Sequence, residues 1–202
     1  MSIRHGLLAL LDQGPRYGYQ LRTEFEARTG ATWPLNVGQV YTTLGRLERD
    51  GLVQPAGEDG EGHLFYAVTE AGRAELRQWF DTPVPRTNPP RDELAIKLAM
   101  AVTVPGVDVQ SVVQGQRRHS MKALQDYTRL KGQALVASPE QQGDLAWLLV
   151  LEQLIFQTEA EIRWLDHCET RLAQYAARPA PPEPGPAAAP APKTGPRRRA
   201  RT

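Results

Sequence analysis

Between Asn36 and Gly51 the apolar residues recur at the spacing of one helical face. At about 100° per residue, Val37, Val40, Leu44 and Leu47 fall in one narrow sector, and Gln39, Thr42, Gly45, Arg46 and Arg49 fall on the opposite side. Asn36 supplies an N-cap and Gly51 a stop, and Gln39 stands where a capping box would close. Such a helix must bury one stripe and present the other. The outward stripe holds Gln, Thr and Arg, which can bond base edges in a major groove, and Gly45 leaves room for close approach.

The flanking segments say what this helix packs against. Ile3, Leu7, Leu10 and Leu11 mark a first helix that Gly14-Pro15 ends. A second starts near Tyr17, with Gly18, Leu21 and Phe25 on one face, and Trp33-Pro34 forces an extended connection after it. Downstream, Leu52-Val53-Gln54 reads as a strand and residues 57–62 as a turn. His63 to Val68 reads as the return strand, with Leu64, Tyr66 and Val68 on one side. Thr69 caps a fourth helix from Glu70 to about Phe80. The expected fold class is mainly α with a small β-hairpin: a winged helix-turn-helix followed by a C-terminal helical dimerisation domain. A unit of this kind docks its third helix in the major groove and lays the hairpin along the neighbouring backbone or minor groove.

Proline divides the chain. Four prolines between Thr82 and Pro90 stop any helix arriving from Phe80, so residues 1–81, 82–90 and 91–178 read as a DNA-binding domain, a linker and a helical domain. Residues 179–202 hold eight of the 17 prolines and an Arg cluster at 197–201, the composition of a disordered tail. In the helical part, Leu94, Leu98 and Ala101 share a face, Pro105-Gly106 breaks the helix, and Asp108 caps the next one. Ser138-Pro139-Glu140-Gln141 is a start signal for a last helix reaching about Ala177. Its length exceeds what the apolar stripe of a small domain can cover, so a partner chain is expected against Leu148, Leu151, Ile155, Ile162 and Leu165.

The net charge of +1 hides an uneven split. Residues 1–80 carry 8 basic and 10 acidic side chains, and only the tail is clearly basic. Specific DNA affinity would then rest on local placement of Arg4, Arg16, Arg22, Arg46 and Arg49. The tail either adds nonspecific attraction or is an idle solvated end. No run of 18 apolar residues exists, no leader is read at the start, and the one cysteine, Cys168, suits a reducing compartment. The expectation is a cytoplasmic protein without membrane contact.

Several residues have two roles open to them. Gln39 caps or touches a base, and Arg46 pairs with Asp50 or with DNA. Tyr41 points sideways, toward the second helix, with its hydroxyl near a phosphate. Tyr17, Tyr19 and Gln20 stand at the start of the second helix, where the dipole favours phosphate, though Tyr17 or Tyr19 can equally be core. The hairpin tip is acidic, with Glu58, Asp59 and Glu61 and only His63 to offset them, so the wing is expected to turn away from phosphates or to be flexible. Trp147, Trp164 and Trp79 can flank a flat effector or serve as packing. Cys168 reads as a small buried side chain. The histidines and the cysteine show no metal-ligand spacing, the glycine run at 57–62 is no dinucleotide loop, and no nucleophile stands with a base. Neither catalysis nor a cofactor is expected.

Four motifs in order resemble the PadR family of bacterial transcriptional regulators: Tyr17 to Leu21, Val37 to Glu48, Gly51 to Val53, and Tyr66 to Arg73. Arg91 to Leu98 is similar to the start of the α-helical C-terminal domain that the larger PadR subfamily shares with virulence-gene activators. The resemblance implies a homodimer joined by C-terminal helices, binding of double-stranded DNA at a dyad-symmetric operator, usually repression, and response to small aromatic or drug-like effectors. The family often places Lys or Arg near the hairpin tip, and this chain does not. The rival reading is a protein–protein interaction module that keeps the winged-helix shape without sequence-specific DNA binding.

Overall fold

The computed structural model describes residues 2–85, 91–136 and 142–177. The Ser138–Gln141 start signal, part of the Pro-rich linker and the 179–202 tail lie outside the described residues. Among the described residues, seven helices and one hairpin follow in the order α1 (Ser2–Asp12), α2 (Gly18–Arg28), α3 (Val37–Arg49), β1 (Val53–Glu58), β2 (Leu64–Val68), α4 (Glu70–Asp81), α5 (Glu93–Ala101), α6 (Val109–Val136) and α7 (Gln142–Ala176).

The N-terminal unit closes on one core. Leu7, Leu8 and Leu11 of α1, Leu21 of α2, Val40, Leu44 and Leu47 of α3, Val53, Tyr66 and Val68 of the hairpin and Leu76 of α4 are all buried in it. Each full burial of a Leu or Val contributes about 1.5–3 kcal/mol. Two glycines set how closely the helices approach. Phe25 of α2 lies where a side chain on Gly6 of α1 would stand, 2.9 Å from the position of an added Cβ. The first turn of α4 sits on the Leu52 carbonyl, which a Cβ at Gly72 would strike. Thr69 holds that corner: its amide donates to the Leu52 carbonyl at 3.0 Å, its hydroxyl donates to the Gly51 carbonyl at 2.7 Å, and its Oγ1 accepts from the Gly72 amide at 3.1 Å.

The hairpin departs from expectation at its first strand. Leu52 precedes β1 and faces α4, and β1 runs on to Glu58 through residues exposed on both faces. A segment exposed on both faces has no apolar alternation to betray it. Val53 pairs with Val68 and Pro55 with Tyr66, and the register shifts between Pro55 and Glu58. Gly57, with φ +109°, makes that irregularity possible. Tyr66 exchanges both of its backbone hydrogen bonds with Arg16, at 3.1 and 3.0 Å, on the side away from β1. Its opposite on β1 is therefore a position that owes no N–H to the ladder, where proline is tolerated.

In the helical unit, Leu98 of α5, Val113 of α6 and Leu165 of α7 form a second core, with Leu94, Val112, Cys168 and Leu172 around it. Asp92 caps α5, accepting from the Ala95 amide at 2.9 Å, and Asp108 accepts from the Ser111 amide at 3.2 Å before α6. Further along, buried Ser120 of α6 donates to Glu161 of α7 at 2.5 Å, and Gln116 donates to the same carboxylate at 3.0 Å. Arg117–Asp166 at 2.7 Å and Lys131–Glu152 at 2.6 Å rim the seam. This pairing corrects the expectation for α7. Leu151, Ile162 and Leu165 are buried within one chain, and Leu148 and Ile155 are half-buried. They belong to the seam with α6, which is itself long enough to cover them. The opposite face of α7 is uncovered: Leu145, Leu149, Phe156 and Trp164 are exposed. No helix among the described residues is long and apolar enough to cross a membrane.

Candidate nucleic-acid interface

Helix α3 is set by its buried stripe. Val40, Leu44 and Leu47 have no exposed surface, while Gln39, Thr42, Gly45, Arg46 and Arg49 all face solvent. Nothing stands within 4 Å of where a Gly45 Cβ would be, so the centre of this face is open. The cap is one-sided: Asn36 accepts from the Gly38 amide at 2.8 Å, and Gln39 is exposed. Thr42 donates its hydroxyl to the Gly38 carbonyl at 2.8 Å, which fixes its rotamer with the methyl outward.

The basic side chains divide sharply. Arg4 pairs with Asp50 at 3.0 Å and Arg22 with Glu26 at 3.1 Å. Arg16 is more deeply held, donating to Glu24 at 2.9 Å and to the carbonyls of Leu10 at 2.6 Å and Gly14 at 2.9 Å. These three serve the fold. Arg49 leans on Asp50 at 3.2 Å with a side chain 73% exposed. Arg46 makes no ion pair among the described residues, because Asp50, its expected partner, is taken by Arg4 and Arg49. Of the five arginines named from sequence, only Arg46 and Arg49 therefore remain on the outward face.

Tyr41 packs sideways as its position on the helix requires. Its ring lies over Gly18 at the start of α2, 2.7 Å from where a Cβ would be, and the residue stays 45% exposed. Tyr17 precedes α2 in extended conformation without capping through its own side chain, and its amide donates to Gln20 Oε1 at 3.3 Å. Gln20 is thus committed partly to the helix start, while the first amides of α2 stay open to an outside acceptor. Tyr19 is exposed. Tyr17 is half-buried: His63 stacks on it at 4.5 Å and Phe65 meets it edge-on at 5.4 Å.

That stack fastens the wing. Asp59 accepts from the amides of Glu61 and His63 at 2.9 Å each, and its other oxygen contacts His63 Nδ1 at 2.9 Å. The His63 amide above all, with the His63 ring and the Glu61 amide, holds the Asp59 carboxyl below its ordinary value. A flexible wing is not what these contacts describe. The tip is knitted by Asp59 and tied through His63 to the start of α2, with Glu58 and Glu61 exposed.

The three tryptophans do not converge. Trp79 stacks on His5 at 5.1 Å between α4 and α1. Trp147 covers Gly30 beyond the end of α2. Trp164 borders a mainly apolar cavity of about 300 Å³ with Leu98, Val113, Cys168 and Arg171. They cannot flank one ligand together, and burial pushes the Cys168 thiol up.

Sequence comparison matches both halves of the chain. The transcriptional regulator PadR-like family profile covers residues 7–78, and the virulence activator alpha C-term profile covers residues 90–173. Residues 7–78 are thus a PadR-like family domain, followed by a virulence activator alpha C-term domain. It is 27% identical over 187 residues to a probable transcriptional regulator of Mycobacterium tuberculosis, covering 86% of this chain and 99% of that one. The negative transcriptional regulator PadR of Bacillus subtilis is 24% identical over 176 residues, covering 81% of this chain and 93% of its own. Among solved structures, the Vibrio cholerae virulence activator AphA superposes with TM-score 0.64 at 26% identity, over 86% of this chain and 99% of its own. Bacillus subtilis PadR in complex with operator DNA superposes with TM-score 0.65 at 20% identity, over the same shares. The likeness therefore spans the winged helix and the helical domain together, and the chain is a PadR-like transcriptional regulator.

Proposed function

We propose that this regulator is a homodimeric repressor that places one α3 in each of two major grooves of a dyad-symmetric operator. The observation that carries the reading is the outward face of α3, where Gln39, Thr42, Arg46 and Arg49 surround an open Gly45 and Arg46 is free of ion pairs among the described residues. Tyr41, Tyr19 and the open amides of α2 stand beside that face to meet phosphates, with Tyr17, Gln20 and His63 as the platform that sets them. The dimer face is the uncovered side of α7, where Leu145, Leu149, Phe156, Ala160 and Trp164 repeat at helical spacing and the Glu152 carboxylate among them is paired with Lys131 of α6. Effector release enters at the cavity beside Trp164, where Arg171 can pair an acid group; a structure of the Bacillus relative holds p-coumaric acid. A cytoplasmic location goes with this reading.

The exposed acidic tip, Glu58 and Glu61, favours the rival interaction module. Selection of bound fragments from the source genome, followed by Arg46→Ala, separates the two. A reader of bases enriches a palindrome and loses about 1–3 kcal/mol at one base position of each half-site. Enrichment of nothing, or a loss spread evenly over all positions, would refute base reading by α3.

A further inference from the structure

Helix α2 is held at both ends by the same device. At its start, Gly18 receives the ring of Tyr41 from α3. Just past its end, Gly30 receives the indole of Trp147 from α7, so closely that any side chain at Gly30 would occupy the ring's space. Gly30 has φ +57°, a conformation that glycine adopts without strain. The turn around it is stiff. The Ala31 amide donates to the Glu26 carbonyl at 2.7 Å, and the Leu35 amide donates to the Glu26 carboxylate at 3.0 Å. The contact of α2 with α7 is the main one between the N-terminal unit and the helical unit among the described residues.

We infer that Trp147 is a positioning residue that sets the half-site spacing the dimer accepts. The inference rests on the DNA-binding dimer proposed above. The two aromatic sockets make α2 a strut between the long helix that would carry the dimer contact and the helix that would read bases. From Gly18 to Gly30 the strut is about 18 Å long. A tilt of about 10° at the Trp147 end would carry α3 by about 3 Å, close to the 3.4 Å step between base pairs. The fit of the indole into Gly30 therefore decides whether two heads on one dimer meet one spacing or several.

The test is selection of bound duplexes from a random-sequence pool by the full chain and by Trp147→Ala, Trp147→Phe and Gly30→Ala. The unaltered chain should enrich paired half-sites at one spacing. Trp147→Ala and Gly30→Ala should enrich the same half-site sequence spread over two or more spacings, and bind the original spacing at least several-fold more weakly. Trp147→Phe should restore part of the sharpness. If Trp147→Ala does not fold by circular dichroism, the Phe and Gly30 variants carry the same comparison. One sharp spacing in every folded variant overturns the role of Trp147 while leaving DNA binding intact. Enrichment of no duplex by the unaltered chain removes the DNA reading, and the spacing claim with it.

Discussion

The same substitution at two glycines should have opposite consequences. In a helix, Gly→Ala ordinarily stabilises by about 0.5–1 kcal/mol, because Ala loses less backbone entropy on folding. At Gly72 the new methyl meets the Leu52 carbonyl, which is fixed backbone bonded to the Thr69 amide at 3.0 Å. Overpacking against an immovable group costs about 1–3 kcal/mol, and loss of the Thr69 clasp adds a hydrogen bond of about 1 kcal/mol. Net destabilisation of about 2 kcal/mol follows, or a fall in Tm of about 4–8 °C for a chain of this size. At Gly18 the methyl meets the Tyr41 ring at 2.7 Å, but that ring is the far end of a side chain already 45% exposed. It can swing out, so stability should change by less than about 1 kcal/mol. Operator affinity should fall instead, since Tyr41 leaves its place beside the α3 face. Thermal melts by circular dichroism and binding isotherms on a selected operator read both. Gly72→Ala as stable as the parent chain, or Gly18→Ala as damaging as Gly72→Ala, would refute the argument from obstacle stiffness.

Arg16→Ala removes the charged donor shared by the carbonyls of Leu10 and Gly14 and the Glu24 carboxylate, leaving only the Gln13 amide on Leu10 and Arg28 beside Glu24, and should cost about 2–3 kcal/mol by urea unfolding. Asp59 has its folded pKa lowered, so its stabilisation of the wing tip is present above the unfolded carboxyl pKa and is lost as pH falls through the folded value. Hydrogen exchange at the Glu61 and His63 amides should accelerate over that acid range in the parent chain and be fast at every pH in Asp59→Ala. Phe156→Asp should yield monomers by sedimentation with the melting of the N-terminal unit unchanged, and dimers that persist would exclude the outer face of α7 as the contact. p-Coumaric acid should quench tryptophan fluorescence in the parent chain and not in Trp164→Phe; equal quenching would move the effector away from that cavity.

Elements whose cause is local could be read from the chain. Asn36, Thr69 and Asp108 each stand as expected before a helix, because a cap acts on amides two or three residues away. The orientation of α3 followed from one stripe on a short helix. Helix α7 defeated the same method because it carries two apolar stripes on opposite sides, and spacing cannot say which one α6 will cover. From sequence Arg16 looks like the other basic residues near α3, because its acceptors are carbonyls and a carboxylate that only the folded chain brings around it. The glycine sockets at Gly18 and Gly30 are likewise invisible before folding, since each depends on an aromatic ring from another helix. What pointed to them was only the presence of glycine inside or just beyond an otherwise ordinary helix.

The proline paired opposite Tyr66 has a consequence for two chains as well as for one. Two wings brought to neighbouring stretches of one duplex would each offer a bare outer border of β1, and bare borders invite strand-to-strand zippering. Here that border is interrupted by Pro55, kinked at Gly57 and closed by the negative Glu58. Neighbouring copies crowded onto the same DNA are thereby discouraged from fusing their hairpins into a continuous ribbon.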